Sequence, residues 1–144
     1  MKIYLDNCCF NRPFDDQSQI RIQLESQAKL YIQEQIKNGE IELVWSYILD
    51  YENSFNPFEE RKLVIQKWRD KAKQDIIENP TILETAKELS SLGIKCKDAL
   101  HIACAIYAGC DYFLTTDDEV LKKLKNYNEI AVVNPFTFIT NLND

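Results

Sequence analysis

Residues 97–121 read KDALHIACAIYAGCDYFLTTDDEVL, and the order of elements inside that stretch decides the architecture. Residues 97–108 are apolar on almost every side and rich in alanine, which predicts a helix buried over most of its surface and able to approach a sheet closely. Residues 111–114, DYFL, predict a short strand, and residues 118–124 a short helix. A buried helix that feeds a strand, followed at once by another helix, points to parallel β-α-β units.

Working outward, KIYL at 2–5 and IELVW at 41–45 predict two earlier strands, and EIAVV at 129–133 a later one. The polar stretch 6–17, which includes Arg12-Pro13, predicts a loop. Residues 18–37 carry Ile20, Leu24, Ala28, Tyr31, Ile32 and Ile36 at helical spacing, and Asn38-Gly39 closes that helix. Ser46 is placed to cap a helix over 47–53. Beyond it, 58–78 predicts one long helix or a bent pair, and 81–92 another helix ending at Gly93. Right-handed crossovers then give a three-layer α/β/α sandwich around a short parallel sheet. Its strand order is 2-1-3-4, with an inserted helical subdomain between the second and third strands. The chain, 1–144, reads as a single domain.

With 45% hydrophobic and 28% charged residues the composition is that of a folded domain, and three Gly and four Pro leave little room for a linker. The start, MKIYLDNCCF, is too short and too polar an apolar run for a signal peptide, and no stretch approaches the roughly 20 apolar residues of a membrane helix, so a cytoplasmic location is expected. Five cysteines, an odd number without a C-x-x-C pair, predict free and mostly buried thiols. A net charge of -6 and a pI near 4.9 argue against a protein that coats nucleic acid regardless of sequence. They do not exclude a nuclease, because a carboxylate site lowers the global charge while a local basic rim can hold a phosphate backbone.

Four acids converge in this scheme. Asp6 lies just past the first strand, Asp117 just past the third, Glu52 in the helix after the second strand, and Asp98 at the start of the helix leading into the third. All four belong at the C-terminal edge of the sheet, beside the topological switch point where such sheets bind ligands. Two unit charges ~4 Å apart cost about 4 kcal/mol at an effective dielectric of roughly 20, so the cluster calls for a cation or for raised pKa values. Oxygen ligands suit Mg²⁺ or Mn²⁺, and such ions favour phosphodiester hydrolysis.

Four motifs in order, IYLDNCCF, SYILDYE (46–52), KDALHIACA and LTTDDEVL, resemble those of the PIN-domain family and together span nearly the whole chain. The resemblance implies a Mg²⁺- or Mn²⁺-dependent endoribonuclease, often the toxin of a bacterial VapBC-type toxin–antitoxin pair and often homodimeric. RNA and an antitoxin protein are the implied partners, with no membrane. Carried onto this chain, it makes Asp6, Glu52, Asp98 and Asp117 the catalytic acids. Asp6, Asp98 and Asp117 are the metal ligands, and Thr115 orients the last of them. Asp50 competes with Glu52, since the two point to different sides of one helix.

Several residues carry a second reading. Thr116-x-x-Glu119 has capping-box form, so these two read as structural. His101, the sole histidine and one turn beyond Asp98, reads as a hydrogen-bonded core residue before it reads as a proton shuttle. Asn11 and Arg12 lie near the mouth; Arg12 suits a phosphate clamp as well as a surface pair with Asp15 or Asp16. The groups Lys122, Lys123, Lys125 and Arg69, Lys71, Lys73 suit an RNA rim or a solvated face. Two other functions fit the same fold: a protein-binding module that takes an antitoxin helix in a groove, and phosphotransfer through an aspartyl phosphate at Asp6, which calls for a lysine beside the acids.

Overall fold

Strands β1 Lys2–Leu5, β2 Glu42–Ser46, β3 Gln74–Ile76, β4 Tyr112–Leu114 and β5 Ala131–Val133 form one sheet in the computed structural model, which describes residues 1–142. Every pairing is parallel and the order is β3-β2-β1-β4-β5. The four expected strands keep their 2-1-3-4 order. In the central strand Ile3, Tyr4 and Leu5 are wholly buried, as a parallel strand covered on both faces requires.

The helices are α1 Asn7–Asn11, α2 Ile20–Lys37, α3 Tyr47–Ser54, α4 Glu59–Gln66, α5 Pro80–Ser91, α6 Cys96–Tyr107, α7 Asp118–Lys123 and α8 Pro135–Leu142. In α6, Ala99, Ala103 and Ala105 are buried, and their small side chains let the helix lie against β2 and β4. Helix α5 packs on α6, and α2 packs on α8. Tyr4 stacks on Phe113 with ring centres 5.5 Å apart, and Phe10 meets Trp45 edge-on at 5.4 Å.

Three segments depart from the expectation. Residues 58–78 are not one helix or a bent pair: α4 runs into a 3-10 turn over Lys67–Lys71 and then into the edge strand β3. Only Ile76 of that strand is buried, and the strand is held by backbone pairing to β2, extended by the Lys73 amide to the Leu43 carbonyl at 2.9 Å. The stretch 6–17 is not a plain loop, because it holds α1 and a 3-10 turn over Arg12–Phe14 with Pro13 in its first turn. Helix α8 was not anticipated; Pro135 begins it, and Phe138 is wholly buried.

One core residue is out of character. Lys29 is 3% exposed, its ammonium 5.3 Å from the ring centre of Phe10 and 5.8 Å from that of Trp68. Burial, opposed by Cys9 and reinforced by the like charge of Lys37, pushes its amine down to about 7. All five cysteines are free thiols. No helix among the described residues is long and apolar enough to cross a membrane.

Candidate metal centre

The site begins where β1 ends. The Asp6 amide still donates to the Leu114 carbonyl at 2.9 Å, so this residue is anchored to β4 before the chain turns into α1. Its Oδ1 caps α1 by accepting from the Asn7 amide at 2.8 Å, and its Oδ2 accepts from the Thr115 hydroxyl at 2.8 Å. Thr115 is wholly buried, and its oxygen also accepts the Asp117 amide at 3.1 Å. It therefore orients Asp6 directly and holds Asp117 by its backbone, a wider role than the one expected of it.

Asp117, not Thr116, is the N-cap of α7: its Oδ1 accepts from the amides of Glu119 at 2.9 Å and Val120 at 3.4 Å. The capping box expected at Thr116 and Glu119 is not formed. Thr116 instead accepts from Arg12 Nη2 at 2.8 Å.

Ser46 caps α3 as expected, accepting the Leu49 amide at 3.4 Å. The cap fixes the phase of that short helix and so decides between its two acids. Asp50 turns away, its Oδ1 accepting from Trp45 Nε1 at 2.9 Å and Gln66 Nε2 at 2.8 Å. Glu52 faces the sheet edge and bonds His101 Nε2. An Asp50→Asn variant keeps an acceptor for both donors, so we expect Mn²⁺ affinity within about threefold of the parent by calorimetry and a stability loss of about 1 kcal/mol or less.

A cavity of about 350 Å³ is lined by all four expected acids, Asp6, Glu52, Asp98 and Asp117, together with Asn7, Cys8, Arg12 and Thr116. Burial, then repulsion from Asp6 and Asp117, pushes the Asp98 carboxyl up to about 6, with His101 opposing. Burial also pushes the Glu52 carboxyl up, but the hydrogen bond from His101, helped by any positive charge on that ring and by Lys97, holds it below the ordinary carboxylate value. Asp6 Oδ1, a Glu52 oxygen and His101 Nε2 lie within 4.8 Å of one another. An excess of carboxylates with one of them forced toward its acid form, facing open space, is a donor set that fits a hard divalent cation.

The other expectations sort by geometry. Arg12 lines the cavity and forms the foreseen pair with Asp15 at 3.2 Å, with Glu25 at 3.1 Å as a further partner. Asn11 is not in the lining; its amide bonds the Asn7 carbonyl at 3.0 Å and its oxygen accepts from Asn56 at 3.3 Å. Arg69 pairs with Asp75 at 2.8 Å, Lys123 bonds the Gly93 carbonyl at 2.8 Å, and neither is among the residues lining the cavity. His101 is wholly buried as foreseen, yet it touches the site as well as the core. Its Nδ1 lies 2.6 Å from the Tyr4 hydroxyl, which lies 2.5 Å from Ser46 Oγ.

No protein-family model matches the chain, and no curated protein matches it. Among solved structures it is similar to VapBC-1 from nontypeable Haemophilus influenzae, with a TM-score of 0.59 at 16% identity over 94% of this chain and 98% of that one. It is similar as well to VapBC2 from Rickettsia felis, bound to a DNA fragment from their promoter, with a TM-score of 0.57 at 16% identity over 93% and 98%. At that identity the likeness is one of fold. It is the helix-flanked parallel α/β fold that the sequence led us to expect.

Proposed function

We propose that this PIN-type chain is a divalent-metal-dependent nuclease that hydrolyses RNA phosphodiester bonds and serves as the toxin of a two-protein toxin–antitoxin pair. One observation carries the reading: four carboxylates from distant parts of the chain line one cavity at the C-terminal edge of a parallel sheet. The VapBC neighbours support the toxin role through their fold.

In this reading Asp6, Asp98 and Asp117 hold the cation. A bound Mg²⁺ or Mn²⁺ lowers the pKa of a water and offsets charge on phosphoryl oxygens. The protein's own groups do the rest. The Thr115 hydroxyl keeps one Asp6 oxygen aligned. Glu52 has Oε1 engaged by His101, which leaves Oε2 to accept a proton from an attacking water. Arg12, already immobilised by its partners, presents a guanidinium to the cavity where a phosphate oxygen can pair with it. Phosphotransfer is the poorer reading, since no lysine is among the residues lining the cavity.

The test mixes the purified chain with a single-stranded RNA oligonucleotide, in Mn²⁺ or in chelator. We expect hydrolysis in Mn²⁺ alone. Mn²⁺ binding without hydrolysis would leave a metal-holding protein that is not a nuclease, and absence of both would end the proposal.

A further inference from the structure

We infer that His101 is a positioning residue for Glu52, donating from Nε2 to one carboxylate oxygen while Tyr4 and Ser46 fix its ring from behind, and that it is not itself a metal ligand. The inference rests on the metal-site reading above and refines it.

The polarity of the hydrogen bonds carries it. Nε2 faces two acceptors, Glu52 Oε1 in bonding contact and Asp6 Oδ1 at 3.9 Å. Carboxylate oxygens accept, so Nε2 carries the hydrogen, and a ring nitrogen that carries hydrogen has no lone pair to offer a cation. The bare nitrogen of the neutral ring is then Nδ1, which accepts the Tyr4 O–H across 2.6 Å. With its hydrogen committed there, the Tyr4 oxygen accepts the Ser46 O–H across 2.5 Å, and Ser46 Oγ accepts the Leu49 amide across 3.4 Å.

Each donor in this run, from the Leu49 amide to the Glu52 carboxylate, finds one acceptor with a neutral imidazole. That completeness matters because Tyr4, Ser46 and His101 are all wholly buried, where an unmade bond is costly. The opposite tautomer would press a lone pair against Glu52 and Asp6 and leave Nδ1–H and the Tyr4 O–H to be accommodated afresh. The run ties β1, the end of β2, α3 and α6 together. The carboxylate that faces the cavity is therefore aimed by three elements rather than by its own short helix. Outer partners of this kind orient the groups that hold a metal.

His101 is the only histidine, so its ring nitrogens give one unambiguous set of ¹⁵N signals. In the metal-free protein we expect Nε2 to bear hydrogen, and to keep it when Mg²⁺ is added. A bare Nε2, or one that loses its hydrogen on Mg²⁺ binding, overturns the inference. Calorimetry with Mn²⁺ supplies the second arm. His101→Leu should weaken binding about 10- to 100-fold. His101→Gln, whose amide can still donate to Glu52, should restore it to within about fivefold of the parent. A glutamine variant that folds and binds as poorly as the leucine variant would identify the imidazole as a ligand. Should neither variant fold, the nitrogen signals of the parent decide alone. They report the tautomer whether or not RNA is cleaved, so failure of the nuclease reading is seen separately.

Discussion

Replacing Asp98 by Asn should make the metal-free protein more stable and sharply weaken the Mn²⁺ binding proposed for it. The two effects have one cause. The Asp98 carboxyl is pushed up to about 6 by burial and by the acids around it, so ionising it in the folded chain costs free energy that the unfolded chain does not spend. Between about pH 4 and 6 the native state holds more protons than the unfolded state, and the contribution of this group to stability falls as pH rises. A shift of this size corresponds to ~3 kcal/mol. Asp98 is only partly buried, so solvent screening reduces the expected gain of the Asn variant to about 1–2 kcal/mol at pH 7. Near pH 3.5 the gain should nearly vanish, because the parent is then mostly protonated in both states.

In the proposed metal site the same substitution removes a ligand. Mn²⁺ affinity should fall by more than the roughly 10- to 100-fold typical of an outer-shell change, and hydrolysis of RNA should fall at least as far. Thermal unfolding at pH 3.5, 5 and 7, with and without Mn²⁺, reads both halves. A metal-free Asn variant less stable than the parent at pH 7, or one that keeps the full Mn²⁺ response, would show that Asp98 carries no such burden.

That opposition explains which parts of the site were legible in the sequence. Asp6, Asp98 and Asp117 sit at strand ends and helix starts, and a parallel sheet brings such positions to one edge whatever the details of packing. Glu52 needed more. Its direction depends on the phase of a short helix, fixed by the Ser46 cap and by the grip of Trp45 and Gln66 on Asp50. The first of these is visible in the sequence and the second is not. The Tyr4–His101 bond joins residues 97 positions apart and follows no spacing rule. Strand β3 was hidden for another reason: Gln74 and Asp75 are exposed, so the side chains carry no alternating pattern and backbone pairing alone makes the strand. The segment before α2 was misread because Asp6 and Pro13, taken as loop formers, here begin a helix and a 3-10 turn.

Lys29→Met should stabilise the protein by about 2–3 kcal/mol at pH 7, the largest gain we expect from any single substitution outside the proposed metal site. The cation in the parent has aromatic faces on two sides and sits among buried groups. A depression of the amine to about 7 corresponds to ~5 kcal/mol of lost preference for the charged form, of which about 4 kcal/mol is felt at pH 7, where the folded amine is already half neutral, and attraction to the two rings returns roughly 1–2 kcal/mol. Methionine keeps the length and flexibility of the stem and leaves out the ammonium. The pH dependence separates this cause from better packing. Lysine is charged in the unfolded chain up to about pH 10.4 but loses its proton near 7 in the folded one, so over that interval the unfolded state binds more protons and the parent gains stability as pH rises. The advantage of Met should therefore be full at pH 6, about halved by pH 9, and nearly gone above 10. For a domain of this size it amounts to roughly 5–10 °C in Tm at pH 7. Mn²⁺ affinity should not change, because Lys29 is not among the residues lining the cavity. An advantage that stays constant from pH 6 to 10 would assign the gain to packing, and a loss of stability would mean that the ammonium is held by more than the two rings.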